Sequence, residues 1–189
     1  MKLSGSETLP AARENVWKAL NDPNVLKQCI PGCSEIVQKS PTDMTAKVTL
    51  KLGPMKINFT GAVTLSDLSP PEGYRISGSG SGGLLGGAAG GATVKLTALS
   101  ATETQMDYDV DAQVTGKIAS LGARLIDSTA SQLAGQFFTK FAAVVKKEYG
   151  GVAAPVAAAK PAKKAAKKPV VKKPAAKKAA KKAKKAKKK

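Results

Sequence analysis

Hydrophobic and polar positions change period several times along this 189-residue chain, and each change marks an element. The opening "KLSGSETLP" alternates and predicts a strand. In "AARENVWKALNDP", Val16, Trp17 and Leu20 share one helical side, and Asn21-Asp22-Pro23 stops the helix. "NVLKQCIPGC" predicts a second short helix, ended by Pro31-Gly32. From there the period is two. In "AKVTLKL", Val48, Leu50 and Leu52 oppose Lys47, Thr49 and Lys51. Gly53-Pro54 supplies a turn, and "KINFTGAVTL" returns with Ile57, Phe59, Gly61, Val63 and Leu65 on one face. "YRISGSGSGG" keeps the alternation, with Tyr74 and Ile76 in phase with Gly78, Gly80 and Gly82. "LLGGAAGGA" predicts a loop or a bulged strand start, and "TVKLTAL" and "TQMDYDVDAQV" make the last two strands. In the last, Met106, Tyr108, Val110, Ala112 and Val114 point in, while Asp107, Asp109 and Asp111 point out.

From about Lys117 to Tyr149 the period returns to that of a helix. Ile118, Leu121, Leu125, Leu133, Phe137, Phe141 and Val144 form a wide apolar stripe. Gly150-Gly151 ends it. Strands with one apolar and one polar face belong to an antiparallel sheet that must be covered on one side. The only predicted element long enough to cover it is the C-terminal helix. The predicted class is α+β in the helix-grip arrangement, a curved antiparallel sheet wrapped around one long helix.

Charge divides the chain in two. Residues 151–189 hold 16 of the 31 basic residues and none of the 13 acidic ones, leaving residues 1–150 with a net charge of +2. The expected organisation is a folded domain over 1–149 and a disordered Lys/Ala/Pro tail over 150–189. No apolar run follows Met1-Lys2, and no stretch approaches the roughly 20 apolar residues of a membrane span. The expected location is cytoplasmic, peripheral on the inner face of the cell membrane. With no His, every His-based triad is excluded, and two cysteines leave a structural zinc site short of ligands.

Three stretches carry a family resemblance: "CIPGC" after the second helix, "LGPMKINFTGAV" across the hairpin, and the glycine-rich "GSGSGGLLGGAAGGA". The element order resembles the START/polyketide-cyclase-like (SRPBCC) helix-grip superfamily. The three motifs resemble the CoxG family, the G subunit of carbon monoxide dehydrogenase, over residues 1–148. The superfamily resemblance implies a deep apolar cavity between sheet and helix. The family resemblance implies an accessory protein, not an enzyme, that recruits a cytoplasmic molybdenum-containing carbon monoxide dehydrogenase to the membrane. Some other family members end in an apolar anchoring segment; this chain departs from that pattern with its polybasic end.

The residues themselves point to a cavity by what is missing. Gly78, Gly80 and Gly82 leave three consecutive inward positions without side chains. Gly122, Ala123, Ala130, Ala134 and Gly135 on the helix are expected to sit opposite. The remaining walls are expected to be Leu50, Ile57, Phe59, Leu96, Met106, Tyr108, Leu125, Leu133 and Phe137, a lining suited to a lipid or an isoprenoid. The competing reading is that the glycines only permit tight curvature over a closely docked helix. Leu84-Leu85 reads as a lid, as a membrane-dipping tip, or as ordinary core leucines. Pro-Gly between Cys29 and Cys33 is turn chemistry, which favours structural thiols over a redox pair. The three aspartates read as a solvated or docking face rather than a metal site.

For the tail the candidate contacts are Lys163, Lys164, Lys167, Lys168, Lys172, Lys173, Lys177, Lys178, Lys181 and Lys182. Such a run attracts either polyanion, nucleic acid by counterion release or an anionic leaflet by surface potential. The near-neutral body and the lack of stacking aromatics in the tail favour the membrane. The expected cargo is a non-covalent lipoquinone, menaquinone or ubiquinone, carried to the dehydrogenase, with no covalently bound cofactor. The second reading is a nucleic-acid-binding adaptor with a ligand-sensing body. A third, a helix-grip cyclase or dehydratase, needs polar catalytic groups that the inward positions lack.

Overall fold

A computed structural model describes residues 1–53 and 55–149; Pro54, the Gly150-Gly151 stop, and the expected tail with all its lysines lie outside the described residues. The elements in chain order are β1 (Lys2–Leu9), α1 (Arg13–Leu20), α2 (Pro23–Cys29), β2 (Cys33–Gln38), β3 (Asp43–Leu52), β4 (Met55–Ser69), β5 (Gly73–Ser81), β6 (Gly87–Ala98), β7 (Thr104–Thr115) and α3 (Ala123–Tyr149). Two 3₁₀ turns, Gly83–Leu85 and Gly116–Leu121, precede β6 and α3. The strands form one sheet in the order β1-β7-β6-β5-β4-β3-β2, every neighbouring pair antiparallel. This curved sheet against one long helix is the helix-grip fold.

Local chemistry sets the boundaries. Asp22 caps α2 by accepting the Asn24 amide at 2.8 Å, with Pro23 in the first turn, where its missing N–H costs nothing. Asp43 opens β3 by accepting from the hydroxyls of Ser40 at 2.6 Å and Thr64 at 2.8 Å, which fixes the turn from β2. The buried Thr104 hydroxyl donates to the Ala11 carbonyl at 2.8 Å and ties the start of β7 to the chain before α1.

Three elements differ from the periodicity. β2 has no counterpart in it, because "CSEIVQ" is short and lies at the sheet edge, where burial leaves a weak alternation. Of the two readings of "LLGGAAGGA", the loop holds for Leu84-Leu85, which lie in the 3₁₀ turn, and the bulged start does not, since β6 runs from Gly87 in unbroken register with β5 and β7. The long helix begins at Ala123 rather than near Lys117, since Gly122 at φ +89° breaks the chain between the 3₁₀ turn and α3. Ile118 and Leu121 therefore belong to the turn.

The core has two separate parts. The larger gathers Leu9, Val16, Val25, Cys29, Leu65, Tyr74, Leu96 and Met106 around Phe141 and Val145 of α3. The smaller gathers Leu52, Ile57 and Ile118, with Leu50, Phe59, Leu85 and Leu121 against them. All fully buried residues of α3 lie in its C-terminal half; from Ala123 to Lys140 none is fully buried.

Candidate ligand cavity

Within the larger cluster the sheet and α3 leave a space between them. Inward positions of the strands arrive there in register: Met44 opposite Val63, Ile76 opposite Ala92, and Ala92 opposite Val110. α3 passes over them with Leu133, Ala134, Phe137 and Phe138, and α2 closes one side with Leu26 and Ile30. The result is a cavity of about 460 Å³. Protein interiors normally pack to crystal density, so this much space in a small domain is a feature of the design. It falls within the roughly 300–1,000 Å³ of small-molecule sites.

Its chemistry is nearly uniform. Of the residues that line it, only Tyr74 and Tyr108 bear a polar side-chain atom. Strand amides and carbonyls are spent in the ladders, so water entering would find few partners. Tyr74 is buried, with its ring edge-on to Trp17 at 5.3 Å, and burial alone pushes its hydroxyl well above the usual phenol range. Tyr108 stacks on Phe138 at 4.9 Å and crosses Gly5 of β1, where any side chain would strike its ring. Burial first, and the Glu7 carboxylate second, raise its pKa too. Both phenols stay neutral.

The sequence of this folded part now has a clear affiliation. The family model of CoxG, the G subunit of carbon monoxide dehydrogenase, matches residues 5–146. The chain belongs to the CoxG family. Among solved structures, a conserved protein from Geobacillus kaustophilus is similar at 28% identity, covering 79% of this chain and 97% of that one, with a TM-score of 0.74. A START superfamily protein from Mycobacterium smegmatis shares the fold at 11% identity, over 77% and 97% of the two chains, with a TM-score of 0.61. The Zhui aromatase/cyclase from Streptomyces sp. R1128 shares it at 10% identity, over 78% and 94%, with a TM-score of 0.57. No curated protein matches the chain.

Within this CoxG domain, the residues expected around the cavity divide. Met106, Tyr108, Leu133 and Phe137 line it. Leu50, Ile57, Phe59 and Leu85 pack instead into the smaller cluster, and Leu96 is fully buried in the larger. Leu125 lies over the β3–β4 turn at Gly53. Leu84 is 97% exposed. The three glycines are not cavity wall. A Cβ on Gly78 would meet Val63 Cγ1 at 2.8 Å, one on Gly82 would meet Ile57 Cγ2 at 2.9 Å, and Gly80 faces Phe59 at 3.4 Å. Side chains of β4 already lie across them. The room comes from Ala46, Ala92 and Ala134. Of the small residues expected on α3, Gly122, Ala123 and Gly135 are exposed, and Ala130 is half-buried away from the lining.

Contributions from Leu3, Leu20, Leu26, Ile30, Pro31 and Ile36 are not visible in the periodicity. The first short helix shows an apolar side at Val16, Trp17 and Leu20, but nothing in the period of either short helix shows that it closes over this cavity. Ile30-Pro31 inside "CIPGC" is the available signal, an apolar pair that the turn directs inward. The flanking thiols are free; Cys29 is buried, and Cys33 donates weakly to the Glu35 carbonyl at 3.5 Å. Burial raises both thiol pKa values, which keeps them protonated and unreactive. Asp107, Asp109 and Asp111 stand on the outer face, with Lys2 at 3.9 Å from Asp111. Among the described residues no group of three His, Cys, Asp or Glu is placed to hold a metal, and no helix is long and apolar enough to cross a membrane.

Proposed function

We propose that this CoxG protein is a non-catalytic accessory protein that carries an isoprenoid quinone, menaquinone or ubiquinone, to a molybdenum-containing carbon monoxide dehydrogenase and holds that enzyme at the membrane. The observation that carries the reading is the cavity: a lining of aliphatic and aromatic groups with two neutral hydroxyls, in a family whose name attaches it to the dehydrogenase. An electron-delivering enzyme in water needs an acceptor that lives in the bilayer. A quinone ring with its isoprenoid chain fits an apolar chamber, and its carbonyls offer an acceptor to Tyr74 or Tyr108. The fold is shared with an aromatase/cyclase, but among the described residues no acid–base pair lines the chamber, which supports carriage over chemistry. The Lys-rich end supports attachment to an anionic leaflet.

The test is solvent extraction of the purified full-length protein from a quinone-containing host, followed by mass spectrometry. The expected result is quinone in near-stoichiometric amount, and at least a tenfold loss in Ala92→Phe, which fills the chamber from the sheet side. An extract with no apolar ligand from the folded wild type sinks the carrier reading. Enzyme anchoring would then have to stand without cargo.

A further inference from the structure

One end of the folded domain has a surface that the cavity does not explain. The β3–β4 turn, the Gly83–Leu85 turn, the Gly116–Leu121 turn and the start of α3 all meet there. The smaller core cluster joins them, through Leu52, Leu85 and Ile118, and Leu125 reaches Gly53. At the tip stands Leu84, 97% exposed. The backbone imposes this: Gly83 at φ +65° and Gly86 at φ +113° bracket the leucine, and a Cβ on Gly86 would collide with the Thr115 carbonyl. The elements that meet at this end carry four exposed cations, Lys51 on β3, Lys56 on β4, Lys117 in the Gly116–Leu121 turn and Arg124 at the start of α3. Lys51 and Lys56 are directly paired across the hairpin, an arrangement that repels and weakens a sheet. None of the four is in an ion pair among the described residues; the pairs there are Lys2–Asp111, Arg13–Glu72 and Lys47–Glu35. Asp127, one turn beyond Arg124 and beside Met1, is the carboxylate of that part of α3.

The opposite end provides the contrast. Leu68 and Leu99 are partly exposed there, at 41% and 50%, but Asp67, Glu72 and Glu103 stand in the same turns. Apolar tips occur at both ends, and among the described residues the cations of the Leu84 end have no carboxylate in an ion pair with them.

We infer that the Leu84 end is a membrane-docking face of the folded domain, in which the leucine enters the headgroup region of an anionic bilayer and Lys51, Lys56, Lys117 and Arg124 contact lipid phosphates. A protruding apolar residue at the same end of the domain as four exposed cations matches the two parts of such a surface, hydrocarbon beneath and negative charge above. The face orients the domain, which the charge of residues 151–189 by itself does not do. It deepens the membrane part of the proposed function and is independent of the cargo.

The experiment uses the full chain with Leu84→Trp and vesicles of phosphatidylglycerol carrying brominated acyl chains, beside neutral phosphatidylcholine vesicles. Trp17 packs in the larger core cluster, so the wild type serves as the background. The expected result is a blue shift and strong quenching of the indole at position 84 on the anionic vesicles only. Quenching is lost when Lys51→Glu, Lys56→Glu, Lys117→Glu and Arg124→Glu are added, with co-sedimentation through the tail retained and the melting temperature unchanged. If the charge-reversed protein is less stable, Lys56→Gln with Lys117→Gln gives a partial loss in a milder background. A protein that co-sediments with vesicles while the position-84 indole stays solvent-like and unquenched overturns the docking face but leaves the tail reading intact. Absence of any vesicle binding overturns both. Shielding of the same indole by the dehydrogenase, without quenching by lipid, reassigns the face to a protein partner and overturns the proposal.

Discussion

Tyr74 shows how one side chain records the character of the cavity. Its period-two position marks it as inward, but neither its depth nor its lack of a charged neighbour is legible in the sequence. Both depend on Trp17 and α3 closing over it from elsewhere in the chain. A phenol whose folded-state pKa is raised binds its proton more tightly folded than unfolded. Its stabilising contribution is full below the unfolded value of about 10 and is lost as pH rises above that. Unfolding free energy is therefore expected to fall steeply above about pH 10, with phenolate absorbance appearing together with the unfolding transition. Tyr74→Phe should flatten that fall and leave stability near neutrality within about 1 kcal/mol, because among the described residues its hydroxyl makes no hydrogen bond to lose. A denaturant series across pH, with both proteins, checks the sign. The glycines teach the opposite lesson. Gly78, Gly80 and Gly82 look like absent walls in the pattern, yet their space is taken by Val63, Phe59 and Ile57 of the next strand. A missing side chain signals room only if no neighbour leans into it, and a sequence does not show leaning.

At the scale of elements, α3 is two helices in function. Its last turns are anchored by Phe141 and Val145, both fully buried, while its middle turns, with Leu133, Ala134, Phe137 and Phe138, ride above a chamber. The two parts are expected to differ in mutational cost. Phe141→Ala should destabilise by about 3–5 kcal/mol, the usual cost of emptying a filled aromatic site. Leu133→Ala should cost below about 2 kcal/mol, because Leu133 is half-buried and its methyl groups already border empty space. Urea unfolding of the two variants separates these outcomes, and equal costs would mean that the chamber is closed in solution. The apolar stripe is readable along the whole helix. Which part of it meets protein and which part meets space is not, since the stripe has the same period in both parts.

For the molecule as a whole, the uneven charge is the feature most easily tested. The 16 lysines of residues 151–189 should give vesicle binding that weakens steeply with added salt, because charges near a surface are screened beyond about 10 Å at 0.1 M. Truncation after Tyr149 should remove most of that binding and leave the extractable ligand in place. Loss of ligand on truncation, in a protein that still melts cooperatively, would move the cargo site out of the chamber. The helix-grip class, the antiparallel order and the CoxG affiliation were legible in the sequence by itself. They rest on local periods, on turn residues and on motifs such as "LGPMKINFTGAV", all of which are written in consecutive positions. Only the tertiary structure decided that alanines rather than glycines open the chamber, that α1, α2 and β2 supply part of its wall, and that Leu84 projects from the end of the domain where the β3–β4 turn and the start of α3 meet. Those facts depend on which distant segments come within a few ångströms of one another, and a one-dimensional pattern does not hold that distance.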